Sequence, residues 1–450
     1  MKKFYLTSLG ALLAFGASAQ DKMGFVNTAE NIEIFNVLVE NAPQNPNIKD
    51  VSRFTLVGKD SKFYLGMGAN VKMVGDFDWG SPLSNPNLFV PSAIPMTSDP
   101  GNRSQTLFSI GQSNLYWNFV ALPGSDNQVG LFFDINFLGS TSHPQIAIHH
   151  AYLKYRGFTA GYIVSTFTDI KADPMAIDFA GPNSITFIRH PNIYYTYKFG
   201  KDKMWSAQLG LDMPLAEQSD FTEGEYKHGS FNDKSKGQVY NPITFSADTK
   251  FVHQRMPDIP LFIQRDWADH NGWFRVSAIF RDLQYRSLIP TDTRNRGELG
   301  WGIKASGKTP IVGGLSLTWQ GVYGKGVASY IQDLTGEGLD LVPDVDKNGK
   351  VIAGKLSTVK TWGAYGTLQY NFGKCCAWNV TYSQVRAYAK DFGSDWDSMY
   401  KYGQYITSNL IFNVSSFAQV GAEYLWGRRM NYSGQQSHDN RIMLMLNVSI

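Results

Sequence analysis

The sequence predicts an all-β protein, a transmembrane antiparallel β-barrel of about 16 strands with short periplasmic turns and long outer loops. Three observations carry this. In the last twelve residues, Ile442, Leu444, Leu446, Val448 and Ile450 share one parity, and Arg441, Met443, Met445, Asn447 and Ser449 share the other. That is a strand with one apolar face, and it runs to the final residue, as expected of a sheet that closes on itself. The connections alternate short and long, an order a soluble sandwich has no reason to keep. The chain is also 14 % aromatic, with 23 Tyr, 29 Phe and 11 Trp, which suits aromatic girdles at two membrane interfaces.

The first element is a secretory leader, residues 1–19. Lys2 and Lys3 precede a mostly apolar stretch from Leu6 to Ala17, and Ala17-Ser18-Ala19 fits a small-x-small cleavage site. The stretch is too short to span a bilayer. Residues 20–60 follow as a short N-terminal lead-in, periplasmic or lumenal. They carry Pro43 and Pro46 and one periodic patch from Ile32 to Val39.

Residues 61–450 read as one barrel domain. The first strand, Phe63 to Phe77, sets Phe63, Leu65, Met67, Ala69, Val71 and Met73 against Tyr64, Gly66, Gly68, Asn70, Lys72 and Asp76. Val129 to Phe137 repeats the alternation, as do Glu298 to Ser306, Leu315 to Gln320 and Trp362 to Phe372. Arg156-Gly157, Gly373-Lys374 and Ser415-Ser416 are the short turns. Gly80 to Arg103, Thr166 to Ser184, Pro214 to Met256 and Lys325 to Lys360 are the long excursions. Strand alternation keeps mean hydropathy low even in a lipid-embedded barrel, so its slightly negative value here is uninformative.

Several classes of function are disfavoured. A net charge of +3 gives no reason to expect nucleic acid. The two cysteines, Cys375 and Cys376, are adjacent, which makes no disulfide scaffold, and no further ligands lie nearby for zinc. His149 and His150 are neighbours on one strand and are expected to face opposite sides, so no metal site is assigned. Asp344-Val345-Asp346-Lys347-Asn348-Gly349 looks like half a calcium loop. Position twelve is Lys355 where a bidentate Glu is needed, so Asx turns are the simpler reading. The chain contains no Gly-x-Ser-x-Gly or His-Glu-x-x-His. No enzyme activity and no cofactor are expected.

Parity points to a basic lumen. If Phe274, Val276, Ala278 and Phe280 face lipid, Arg275 and Arg281 point inward. Lys304 and Lys308 do the same on the next strand, opposite Trp301 and Ile303. Rings of Arg and Lys favour anions in a pore, and Arg grips a carboxylate with two hydrogen bonds. The competing reading is that these cations pair with acids and brace the wall.

Ordered motifs over most of the barrel resemble the DcaP-like porin family, trimeric outer-membrane channels associated with dicarboxylate uptake. His150-Ala151-Tyr152 is followed by Gly161 with Ser165-Thr166-Phe167 and Asp169, then Ile177-Asp178-Phe179 with Gly181-Pro182, then Phe187 with Arg189 and Pro191. Arg255 to Asp258, Trp273 to Arg275, Arg281 to Arg286 and Tyr323 to Gly326 with Tyr330-Ile331 continue the likeness. Two departures stand out: no sustained heptads precede Phe63, and the chain ends in Ile450 rather than an aromatic residue. The resemblance implies an inward-folded constriction loop carrying Asp169, Lys171, Asp173 and Asp178. It also implies a pore-ligand role for Arg189 and a homotrimer in the outer membrane of a Gram-negative bacterium. The expected function is passive diffusion of small anionic solutes, dicarboxylates among them, bound at about millimolar strength so that they can leave. The alternative is a plugged barrel that acts as a binding or adhesion protein through its long outer loops.

Overall fold

The computed structural model describes residues 24–43, 52–96, 103–139, 144–214 and 248–450. The leader expected at residues 1–19 and most of the excursion from Pro214 to Met256 lie outside them. Sixteen antiparallel strands form the wall. The first eight are β1 (Phe63–Gly80), β2 (Ser104–Ser109 continued by Asn114–Ala121), β3 (Val129–Asn136), β4 (Ala147–Tyr155), β5 (Phe158–Val164), β6 (Arg189–Phe199), β7 (Trp205–Asp212) and β8 (Thr249–Phe251 continued by Ile259–Trp267). The others are β9 (Gly272–Ser287), β10 (Asn295–Val312), β11 (Leu315–Lys325), β12 (Lys360–Phe372), β13 (Cys376–Tyr388), β14 (Tyr400–Asn413), β15 (Ala418–Asn431) and β16 (Gln436–Ser449).

Each strand pairs with the next, and β16 returns to β1 from Asp439↔Gly80 to Ser449↔Asn70. Ile450 extends the seam, its N–H donating to the Ala69 carbonyl at 2.9 Å. The parity at the seam is the one the sequence predicts. Ile442, Leu444 and Leu446 are 42, 59 and 50 % exposed on the outside, while Arg441 and Met443 are fully buried inside. Lipid supplies no hydrogen bonds, so a wall in which every strand has two partners is the sheet a bilayer tolerates.

Turns at the periplasmic end are tight. Arg156 and Gly157, at φ 46° and 84°, link β4 to β5 in the left-handed region that two-residue hairpins require. The excursion Asp344 to Gly349 follows the Asx-turn reading. Asp346 Oδ1 accepts from the N–H groups of Asn348 and Lys350, and Asp344 pairs with Lys355 at 2.9 Å.

The two histidines depart from expectation. A bulge opposite Asp134 and Ile135 leaves His149 as an extra residue in β4, so one histidine no longer alternates with the other. Both turn to Asp134, with Nδ1 to carboxylate distances of 2.7 Å for His149 and 2.8 Å for His150. Among the described residues these three groups lie close enough, within 4.8 Å, to hold a metal ion. Their separations are those of direct Nδ1–H to carboxylate hydrogen bonds, which brace the bulge.

The lead-in is more ordered than its sequence suggests. Strand Phe54–Val57 pairs with β1 at Thr55↔Gly66 to Val57↔Tyr64, below the point where β16 ends, and Gly24–Asn27 pairs with it in turn. Between them lies α1 (Ile32–Asn41), opened by Asn31, whose side chain accepts from the Ile34 N–H. The periodic patch supplies its buried face. Ile34 and Leu38 pack on Tyr64 and Val120, both inward-facing residues of the wall. Asn41 Nδ2 donates to Asn118 Oδ1 at 2.7 Å, and Tyr152 Oη and Lys154 Nζ donate to the Asn41 carbonyl. Gly130 makes the seat, since a Cβ there would stand 1.9 Å from Asn41 Oδ1. The helix therefore occupies the periplasmic end of the lumen beside β1–β4. Deleting residues 24–43 is expected to raise single-channel conductance while the barrel keeps its heat-modifiable gel mobility. Leu38→Asp, which places a charge in a site worth about 1.5–3 kcal/mol of apolar burial, should act the same way.

Candidate pore constriction

The segment after β5 turns inward rather than out into solvent. At its neck, Ser165 N–H donates to the Ile188 carbonyl at 3.0 Å. Its one regular element is a 3-10 turn at Ile170–Ala172, Pro174, Gly181 and Pro182 interrupt the rest, and Phe167, Ala172, Ile177 and Ile185 are buried to 1 % exposure or less. An ordinary outer loop would leave such residues in water.

Its polar contacts go most of the way round the inner wall. Thr166 Oγ1 donates to Gln208 of β7 at 2.8 Å, and Lys304 of β10 donates to the Phe167 carbonyl. Tyr365 of β12 donates to the Ala172 carbonyl at 2.7 Å, and Asn409 of β14 to that of Met175 at 2.9 Å. Glu423 of β15 accepts from the Ile177 N–H at 2.6 Å, and Ser184 meets Ser383 of β13 at 2.7 Å. A segment with partners on β7, β10 and β12–β15 crosses the lumen and narrows it.

Two other outer loops fold in above it, and buried carboxylates join the three. Asp178 accepts from the Phe89 N–H of the first loop at 2.9 Å and from Tyr405 Oη of β14 at 3.2 Å. Asp333, in the excursion after β11, accepts from Ser92 N–H at 2.7 Å, Asn183 Nδ2 at 2.9 Å and Tyr400 Oη at 2.5 Å. Burial pushes the Asp333 carboxyl up to about 6. Burial, with the nearby Glu423 carboxylate adding to it, pushes Asp178 up to about 7. Around Tyr330, Val327, Ile331 and Leu334 the upper lumen holds an apolar cluster.

The four cations that parity predicts for the lumen, Arg275, Arg281, Lys304 and Lys308, point inward by register, but they divide by role. Arg281 is held by Asp258 at 3.0 Å, Asp340 at 2.9 Å and the Gly326 carbonyl at 2.7 Å. Lys304 is 2 % exposed and also donates to Thr186 at 3.0 Å. These two follow the bracing reading, because loop acids and carbonyls saturate them.

Arg275 lies between the two roles. It donates through Nε to Gln264 at 2.8 Å and pairs through Nη1 with Asp169 at 3.1 Å, while its Nη2 has no protein partner among the described residues. Lys308 makes no hydrogen bond or ion pair among the described residues. Arg189 departs from the expectation. Opposite Val164, its backbone shares the parity of Pro191 and Ile193, but its guanidinium stacks on the Phe187 ring at 5.1 Å with Nε buried and within electrostatic reach of Asp134 and His150, while His190, Asn192 and Tyr194 face the lumen.

The loop residues divide similarly. Asp169 is fully buried; desolvation alone would raise its carboxyl, but Arg275, Lys304, Ser306 and Trp273 together pull it below the ordinary carboxylate range. Asp173 is half-buried, and Asp178 is the latch described above. Lys171 is half-buried with no bonded partner among the described residues, and burial lowers its ammonium from the ordinary lysine value. The charges that act on it are those of Arg275, Asp266, Asp169 and Lys198; Lys308 stands in the wall across from Trp273, which donates to Asp169 at 3.2 Å. Lys171, Lys308 and the free edge of Arg275 thus form a cationic margin where the loop meets β9 and β10.

Sequence reasoning missed the buried network of His190, Asp212, Asp258 and Tyr330. His190 Nε2 lies 3.1 Å from Asp212, and Tyr330 Oη donates to Asp258 at 2.8 Å. The inward parity of the acids ending β7 and opening β8 was its one available signal.

No family model and no curated protein matches the chain. Among solved structures, it is similar to the outer membrane channel DcaP of Acinetobacter baumannii, with a TM-score of 0.67 at 19 % identity, covering 87 % of this chain and 99 % of that one. The fold is that of an outer-membrane porin. An anion-selective porin from Comamonas acidovorans is a more distant match, with a TM-score of 0.50 at 10 % identity, covering 86 % of this chain and 100 % of that one.

Two outcomes test the geometry. Arg281→Ala leaves Asp258 and Asp340 buried without their cation. It should destabilise the folded barrel by about 3–5 kcal/mol, read as a lower heat-modification temperature. The Asp178 carboxyl is raised in the folded state, so its contribution to loop packing is fully present below the ordinary carboxylate value near 3.8 and is lost as pH rises through about 7. Closed times in single-channel records should therefore lengthen from pH 8 to pH 5, and Asp178→Asn should flatten that dependence.

Proposed function

We propose that this protein is a passive outer-membrane channel for small anionic solutes, dicarboxylates among them. The observation that carries the reading is the cationic margin of Lys171, Lys308 and Arg275 on a loop that crosses the lumen. Fixed positive charge where the loop narrows the lumen lowers the barrier for anions and raises it for cations. No acid sits within bonding distance of Lys171 or Lys308 among the described residues, so their charge is available to a passing carboxylate. The Nη2 edge of Arg275 offers a further donor. Selection is by field and bore, and no bond is made or broken, so the protein works without enzymatic chemistry and without a cofactor.

The same reading includes an oligomer. Strands β3 and β5 are 8 and 7 residues long, short of the ~9–11 residues a lipid-exposed strand needs. Their outward side chains, Phe133 and Phe158 among them, are apolar and exposed. A low wall of this kind suits contact with further copies of the chain, and the resemblance to DcaP-like porins makes the assembly a trimer.

A second reading, the plugged barrel that binds through its loops, is favoured by the apolar cluster around Tyr330 in the upper lumen and by α1 at the periplasmic end. Conductance separates the two. In planar bilayers, Lys171→Ala with Lys308→Ala should shift the reversal potential toward cations by several-fold in permeability ratio and weaken succinate block of chloride current. An unchanged reversal potential would remove these residues from the selectivity role.

A further inference from the structure

The outer surface of β7–β9 carries a feature that conduction does not use. Near the periplasmic end, a groove of about 570 Å³ is lined by Trp205, Ile263, Arg265, Trp267, Phe274 and Val276. Register explains it. Trp205, Arg265 and Phe274 stand in one row across the three strands, and Ala207, Ile263 and Val276 in the next. Ala207 is small where its neighbours are large, so a trough opens between Trp205 and Leu209. Its floor faces hydrocarbon: Ile263, Phe274 and Val276 are 45, 42 and 43 % exposed.

One end of this apolar trough is cationic. Arg265 is exposed, stacks against the Trp205 indole at 5.4 Å, and has no carboxylate partner among the described residues. A guanidinium has five donors and no acceptor, so an unpaired one at a membrane rim calls for an anion. Lys201 and Lys203 are exposed in the adjoining turn, which is tied to β8 by the Asp266 N–H donating to the Met204 carbonyl at 2.8 Å. Trp205 and Trp267 mark this level as the interface, where amphipathic indoles settle.

We propose that this groove is a binding site for an anionic phospholipid of the periplasmic leaflet. One acyl chain lies along Ile263 and Val276 toward the bilayer centre, and the phosphodiester is held by Arg265 with Lys201 and Lys203 beside it. Charge complementarity selects the occupant. A zwitterionic lipid brings an ammonium into a site where Arg265, Lys201 and Lys203 outnumber the exposed Asp202 of the same turn, and an apolar protein surface leaves the guanidinium unanswered. The site rests on the membrane reading of the barrel but not on anion conduction, and either can fail alone.

The test is native mass spectrometry of the full-length protein released from nanodiscs of phosphatidylethanolamine and phosphatidylglycerol in equal amounts. Wild type should retain phosphatidylglycerol about tenfold over phosphatidylethanolamine. Arg265→Ala should abolish that preference, and Ala207→Phe, which fills the trough without touching the charge, should abolish retention of both lipids. Heat-modifiable mobility confirms that each variant is folded. Equal retention of the two lipids by wild type, unchanged preference in Arg265→Ala, or displacement by lipid A rather than by phosphatidylglycerol would overturn the proposal. So would an Ala207→Phe variant that keeps its lipid but loses oligomeric mass, since the groove would then seat a second copy.

Discussion

The pairing of β16 with β1 is the constraint on which the rest depends. Without it, two strands of some eighteen and fourteen residues would present unpaired N–H and C=O groups to lipid, each costing several kcal/mol. With it, the pleat fixes every side chain as lipid-facing or lumen-facing, because the side-chain period is 2 and a one-residue slip would invert the wall. The inward position of Arg275, Lys304 and Lys308 is a consequence of that register.

Closure creates a second problem, a lumen too wide for polar side chains to fill. Here three outer loops and one helix enter it. Their backbone groups, removed from bulk water, are satisfied by the wall: Tyr365, Asn409, Glu423 and Ser383 supply donors and acceptors at the heights where the loop passes. Asp178 and Asp333 join loop to loop, so the constriction is held by buried carboxylates with raised proton affinity rather than by apolar packing alone. The same economy separates the lumenal cations. Those that loop acids and carbonyls reach, Arg281 and Lys304, become structural, while Lys171 and Lys308 have no bonded partner among the described residues.

The strands were legible because alternation is a local property. Leu299 to Ser306 or Ile442 to Ile450 declare their faces without reference to any other part of the chain. The strand count, loop parity and inward cations followed from that. What could not be read was set by contacts distant in sequence. Arg281 meets Asp340 across 59 residues, and Asp178 meets Phe89 across 89. No local pattern distinguishes a bracing arginine from a pore arginine. The bulge that brings His149 and His150 together on Asp134 breaks the alternation used to separate them. The helix Ile32–Asn41 was visible as a periodic patch, but its seat beside Gly130 belongs to the barrel's inner surface.

The most direct measurement is the current carried by the wild-type protein in a planar bilayer under a tenfold potassium chloride gradient. The expected result is discrete conductance steps whose reversal potential lies on the chloride side. Steps that reverse on the potassium side would contradict the cationic margin, and a folded, inserted barrel passing no current would contradict the channel itself.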